Sequence, residues 1–162
     1  MVPFGRIPKV EMRLIIRTGN IDENAREIWL SDLVGAMLAE GTADLDSKRL
    51  ARAFASVGGE LNVKIGLDVT TLSSSALSEK APRLVELLGK VTTEPTFPAS
   101  ELERLKGNMI RRLAVSRTRP SSLANKNFFR VLYGDHPYGH TFPTEDMLSS
   151  YSLEAVRSFP AS

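Results

Sequence analysis

Few residue types in this chain could carry chemistry. There are no cysteines and only two histidines, so disulfides and thiolate nucleophiles are excluded. His136 and His140 sit in "DHPYGH". Their spacing would suit one face of a helix, but Pro137 and Gly139 argue for a turn. With Asp135 nearby a weak metal site is conceivable, yet zinc wants a defined tetrahedral donor set, and a structural turn fits better. The serines at 73–75 lack a G-x-S-x-G elbow, and "YGDHPYG" lacks any phosphate-loop pattern.

The stretch "WLSDLVGAMLAEGT", residues 29–42, is more informative. Leu30, Leu33, Val34, Met37 and Leu38 repeat at helical spacing and make one apolar face. Asp32, Gly35 and Ala36 share the other face at i, i+3 and i+4. A helical H-x-x-E-H motif uses that spacing, with two imidazoles to grip zinc and a carboxylate to polarise water. Here a carboxylate, a hydrogen and a methyl stand in those places. Glycine inside a helix costs about 1 kcal/mol against alanine, so Gly35 calls for a reason. Taken alone, the segment is also compatible with an ordinary amphipathic helix.

The elements that would position these residues can be read from the pattern. "KVEMRLIIRTGN" alternates, with Val10, Met12, Leu14 and Ile16 on one side and Glu11, Arg13 and Arg17 on the other, as in a half-buried strand. A helix is predicted from about Ala25 to Glu40. Asp46 is placed to cap a second helix, "SKRLARAFASV", which Gly58-Gly59 would close. "ELNVKIGLD" alternates again, with Leu61, Val63, Ile65 and Leu67 inward. It forms a hairpin with "VTTLSSSAL", turning near Gly66–Asp68. The remainder reads as helices: "KAPRLVELLGKVTTEP", stopping before Pro95; "SELERLKGNMIRRLAVSRTR", opened by a Ser100/Glu103 capping box; "SSLANKNFFRVLYG", ending at Gly134; and the short "YSLEAVRSF". Strands and helices are segregated more than alternated, which predicts an α+β fold with an antiparallel sheet packed against helices.

The 162 residues suit one domain, with 42% hydrophobic and 25% charged residues, an ordinary globular balance. A net charge of +2 is no basic stripe. The one basic stretch, "RLKGNMIRRLAVSRTR", carries no aromatics, so no nucleic-acid partner is expected. No run approaches the ~20 apolar residues of a membrane span, and "MVPFGRIPKV" has no signal-peptide core. The compartment stays open between bacterial cytoplasm, periplasm and an organelle.

Several of these segments together resemble the insulinase/pitrilysin (M16) family of metallopeptidases, which includes the mitochondrial processing peptidases. "LVGAMLAEGT" is similar to that family's inverted zinc motif, H-x-x-E-H followed by Gly-Thr, with Gly41-Thr42 in the Gly-Thr place. "RTGN" resembles its first turn, "FASVGGELNVKIGLDVTTLSSSAL" its helix, glycine turn and strand pair, "PTFPASELERLK" its next helix start, and "LYGDHPYG" a later turn. The resemblance covers nearly the whole chain. It implies an M16-like fold over residues 1–162, an N-terminal-type domain that is a fragment or half of a larger two-domain chain.

The same resemblance puts the first histidine at Asp32, the general base at Gly35, the second histidine at Ala36 and a third, glutamate ligand at Arg112. All four places are vacated. Gly35 and Ala36 offer no lone pair, Asp32 alone cannot hold zinc, and Arg112 would repel it. No catalytic residue, cofactor or metal is therefore expected in this chain, with zinc only in an active partner. Asp32 and Arg112 are expected to form an ion pair between facing helices.

The family contains inactive members that work beside a zinc-bearing one. The resemblance thus implies a non-catalytic subunit or domain that pairs with an active M16 subunit or second M16 domain and helps form a peptide chamber. The alternative is a scaffold homologue without any role in proteolysis. Leu61, Asn62, Val63, Lys64 and Ile65 form a candidate edge strand to which an extended peptide could add. That edge could equally be covered by neighbouring structure or blunted by Lys64.

Overall fold

The structure is a computed structural model that describes residues 8–159. Its elements run β1 (Lys9–Ile16), α1 (Leu30–Leu38), α2 (Ser47–Ser56), β2 (Asn62–Ile65), β3 (Thr70–Leu77), α3 (Ala81–Thr93), α4 (Ala99–Thr118), α5 (Pro120–Tyr133), α6 (Glu145–Ser150) and α7 (Leu153–Ser158). The three strands form one antiparallel sheet in the order β1-β3-β2. The expected α+β class, an antiparallel sheet packed against helices, is what forms.

The central strand β3 explains its own unusual composition. Thr70, Leu72, Ser74 and Ala76 are buried and alternate with half-buried Thr71, Ser73 and Ser75. Small side chains let it be covered on one face while pairing on both edges. Leu72 stands opposite Leu14 of β1 and Val63 of β2. The hairpin turns where expected, with the Gly66 N–H donating to the Val69 carbonyl at 2.9 Å.

Two apolar cores meet along α1. Leu30, Leu33 and Met37 pack with Leu102, Leu105, Met109 and Leu113 of α4, and with Leu148, Tyr151 and Val156 near the end of the chain. Leu38 joins the other core, where Leu50 and Phe54 of α2, Leu72 and Ala76 of β3, and Leu84, Leu87, Leu88 and Val91 of α3 are buried. Helix α1 is thus a shared wall, and both of its apolar edges are used.

Local signals fixed several boundaries. The Asp46 carboxylate accepts the Arg49 N–H at 2.8 Å, the expected cap of α2. Helix α3 ends at Thr93, ahead of Pro95. Helix α5 ends at Gly134, whose φ of 57° is left-handed.

Other expectations need correction. Helix α1 begins at Leu30, not near Ala25, for reasons that belong to the site. The Ser100/Glu103 capping box does not form: α4 starts at Ala99 with Pro98 as its cap residue, so Ser100 lies inside the first turn. Glu103 instead receives Lys106 Nζ at 2.9 Å. Leu14 and Leu67 are exposed, because β1 is an edge strand and β2 stops at Ile65 before the turn. Helix α6, capped by the Thr144 hydroxyl on the Met147 N–H at 3.1 Å, was not foreseen.

Two glycines make opposite tests of this packing. A β-carbon at Gly59 would stand 1.9 Å from the Ser75 carbonyl oxygen, whereas one at Gly89 in α3 would meet nothing within 4 Å. Gly59→Ala is expected to lower stability by about 1–3 kcal/mol. Gly89→Ala is expected to raise it by about 0.5–1 kcal/mol. Urea unfolding of the two variants checks both signs.

Candidate functional site

The site is built around the start of α1, and its foundation is a buried carboxylate. Glu23 accepts the backbone N–H of Trp29 at 3.0 Å and of Ser31 at 2.9 Å. It also accepts the Ser31 hydroxyl and, at 3.1 Å, Asn20 Nδ2. A carboxylate here satisfies the open N–H groups of the first turn and opposes the positive end of the helix dipole. This is why α1 starts late: its first turn is organised by a residue upstream in the chain, not by an adjacent cap. Trp29 adopts the left-handed conformation, φ 69°, at a cost of order 1 kcal/mol.

Three contacts hold Trp29 in that conformation. Its N–H bonds Glu23, its indole Nε1 donates to the Thr141 carbonyl at 3.1 Å, and the Arg112 guanidinium lies 4.1 Å above its ring. Asn20 then links the base of the site to its charged group. Its Nδ2 lies 2.8 Å from Ser31 Oγ and 3.2 Å from Asp32 Oδ2. Arg112 Nη2 completes the chain with a bond to Asp32 Oδ1 at 2.7 Å. Helices α1 and α4 are therefore joined by the ion pair that the sequence analysis expects.

All four positions matched to zinc chemistry lie in one place. Asp32, Gly35, Ala36 and Arg112 line a cleft of about 540 Å³, and its other wall is Leu61, Asn62, Val63, Lys64 and Ile65. Strand β2 is at the edge of the sheet and packs against α1. Val63 and Ile65 are half-buried, while Asn62 and Lys64 are exposed.

Gly35 has a packing role that its sequence context did not reveal. A β-carbon there would lie 2.5 Å from Ile65 Cδ1 and 2.9 Å from Ile65 Cγ1. The space in which a longer side chain would begin is occupied by Ile65. A side chain at position 35 would require the Ile65 side chain to shift.

These residues do not fit zinc. Gly35 and Ala36 contribute no donor atom, and a cation adjoins the one carboxylate. Among the described residues, no group of three or more His, Cys, Asp or Glu could hold a metal ion. His136 and His140 bracket a short helical turn, Pro137–Gly139, in which His136 Nδ1 accepts the Tyr138 N–H at 3.2 Å. They lie in a turn, as expected.

Sequence reasoning missed Asn20, Glu23 and Trp29. Asn20 was noted only as part of the "RTGN" turn and Glu23 carries no motif, because their role depends on chain reversal between β1 and α1. The single tryptophan beside a helix start was the one available signal.

An α+β domain with a cleft between a core helix and a sheet edge is the general class defined here. A family model described as "Insulinase (Peptidase family M16)" matches residues 6–143, and the chain belongs to that family. An uncharacterized zinc protease, YmxG of Bacillus subtilis, is 22% identical over 94% of this chain and 38% of its own length. The human mitochondrial-processing peptidase subunit beta is 25% identical over 84% of this chain and 28% of its own. The crystal structure of a peptidase M16 inactive domain from Pseudomonas fluorescens superposes with a TM-score of 0.83 at 27% identity, covering 95% of this chain and 38% of that one. The chain thus spans well under half the length of these relatives. No helix among the described residues is long and apolar enough to cross a membrane.

Burial pushes the Glu23 carboxyl above its usual range, while its hydrogen bonds from Ser31, Trp29 and Asn20 pull the other way. The folded state therefore holds this proton more tightly than the unfolded chain. The Glu23 contribution to stability is largest below the ordinary value of 4.5 and declines as pH rises through the folded value. Glu23→Gln removes this titration. The stability of the parent relative to Glu23→Gln, measured by denaturant midpoints, is expected to fall as pH rises from 4 towards 7; a parent that gains on the variant over that range would contradict the assignment.

Proposed function

We propose that this chain is a non-catalytic M16 domain that acts beside a zinc-bearing M16 subunit or second M16 domain. It would shape the peptide chamber and present β2 to an extended substrate. The observation that carries the reading is the guanidinium of Arg112, bonded at 2.7 Å to Asp32 in the cleft whose residues the resemblance matches to the family's metal site. A fixed cation opposes a second cation at that place, and Gly35 leaves no general base.

Further features support the reading. The P. fluorescens domain that this chain resembles is itself described as inactive. The mitochondrial relative is named as a subunit, and the chain covers 38% of YmxG, which leaves room for a second, related domain in a complete protein. The edge position of β2 supports peptide addition through backbone hydrogen bonds.

A peptidase assay of this protein alone, and mixed with a zinc-bearing M16 protein of the same organism, tests the proposal. The expected result is no turnover alone and stimulation in the mixture. Chelator-sensitive proteolysis by this chain alone would overturn it. So would an unaffected partner together with copurification in a non-proteolytic assembly, which would favour a scaffold.

A further inference from the structure

Arg112 is held, but its hydrogen-bonding capacity is not exhausted. Among the described residues its side chain makes one hydrogen bond, from Nη2 to Asp32. Nε and Nη1 have no partner there. The guanidinium plane is steadied by the Trp29 ring 4.1 Å away, and its side chain is still 50% exposed beside the cleft. Asp32, by contrast, is engaged on both oxygens, by Arg112 and by Asn20.

The charge around the cleft points the same way. Its lining carries two cations, Arg112 and Lys64, and one anion, Asp32. Lys64 makes no ion pair among the described residues and is exposed on β2. An oriented guanidinium with free N–H groups suits a carboxylate, which it can grip through two parallel bonds. Ala36 and Ala39 on the α1 side leave room for such a group to approach.

We propose that the cleft binds the carboxylate of an extended peptide, with Arg112 as the anchoring group and Lys64 as a supporting charge. The peptide backbone would run along β2 and its carboxylate would reach the place left by the metal. This rests on the reading of β2 as a peptide-binding edge. The carboxylate could be a peptide's C-terminus or an aspartate or glutamate side chain.

Fluorescence anisotropy with three dye-labelled peptides of one neutral backbone tests this. The first ends in a free carboxylate, the second in an amide, and the third in an amide with one central glutamate. At least one acidic peptide is expected to bind about tenfold tighter than the neutral amide, and which one does so identifies the source. Arg112→Met is expected to reduce that preference to less than about twofold. Arg112→Lys, with its charge retained, is expected to keep part of it. Equal binding of all three peptides by the parent protein would overturn this inference and leave the peptide-edge reading standing. Failure of all three to bind would overturn both.

Discussion

Helix α1 and strand β2 approach so closely at Gly35 that a β-carbon there would lie 2.5 Å from Ile65 Cδ1. Gly35 and Ile65 face each other across the cleft at this contact. In a close-packed interior the volume vacated by one side chain is taken by another. Here the Ile65 side chain occupies the space beside Gly35.

Magnitudes decide what holds the two helices together. The Asp32–Arg112 pair is half in solvent on the arginine side, and such pairs contribute less than about 1 kcal/mol. The contact with the Trp29 ring adds a similar amount. The apolar seam of Leu33, Met37, Leu105 and Met109 is buried, and each large side chain in it is worth about 2 kcal/mol or more. The ion pair is thus a weak mechanical link. Its effect is to orient Arg112 and to satisfy Asp32, which gives the cleft a positive group in a defined position.

Most of the local signals in the sequence were readable. The hairpin turn, the Asp46 cap, the end of α3 before Pro95 and the stop of α5 at Gly134 all follow from residues next to the feature. The Asp32–Arg112 approach was legible through the family resemblance, which supplied the pairing of two distant helices. The start of α1 was not, because Glu23 caps it from upstream and because Trp29 takes a conformation that propensity disfavours. The Ser100/Glu103 box failed because Pro98, with no N–H and a fixed φ, starts the helix earlier. Gly35 was legible as an anomaly, but its contact with Ile65 arises only when β2 is laid against α1.

The central claim is that residues 32, 35, 36 and 112 hold an oriented guanidinium and no zinc. Zinc stoichiometry tests it most directly. The protein would be equilibrated with a small excess of zinc, desalted, and its bound metal measured by mass spectrometry alongside a variant in which Arg112 is changed to Glu. The account predicts far less than one zinc per chain in the parent protein. One tightly held equivalent in the parent, lost on Asp32→Ala substitution, would contradict it.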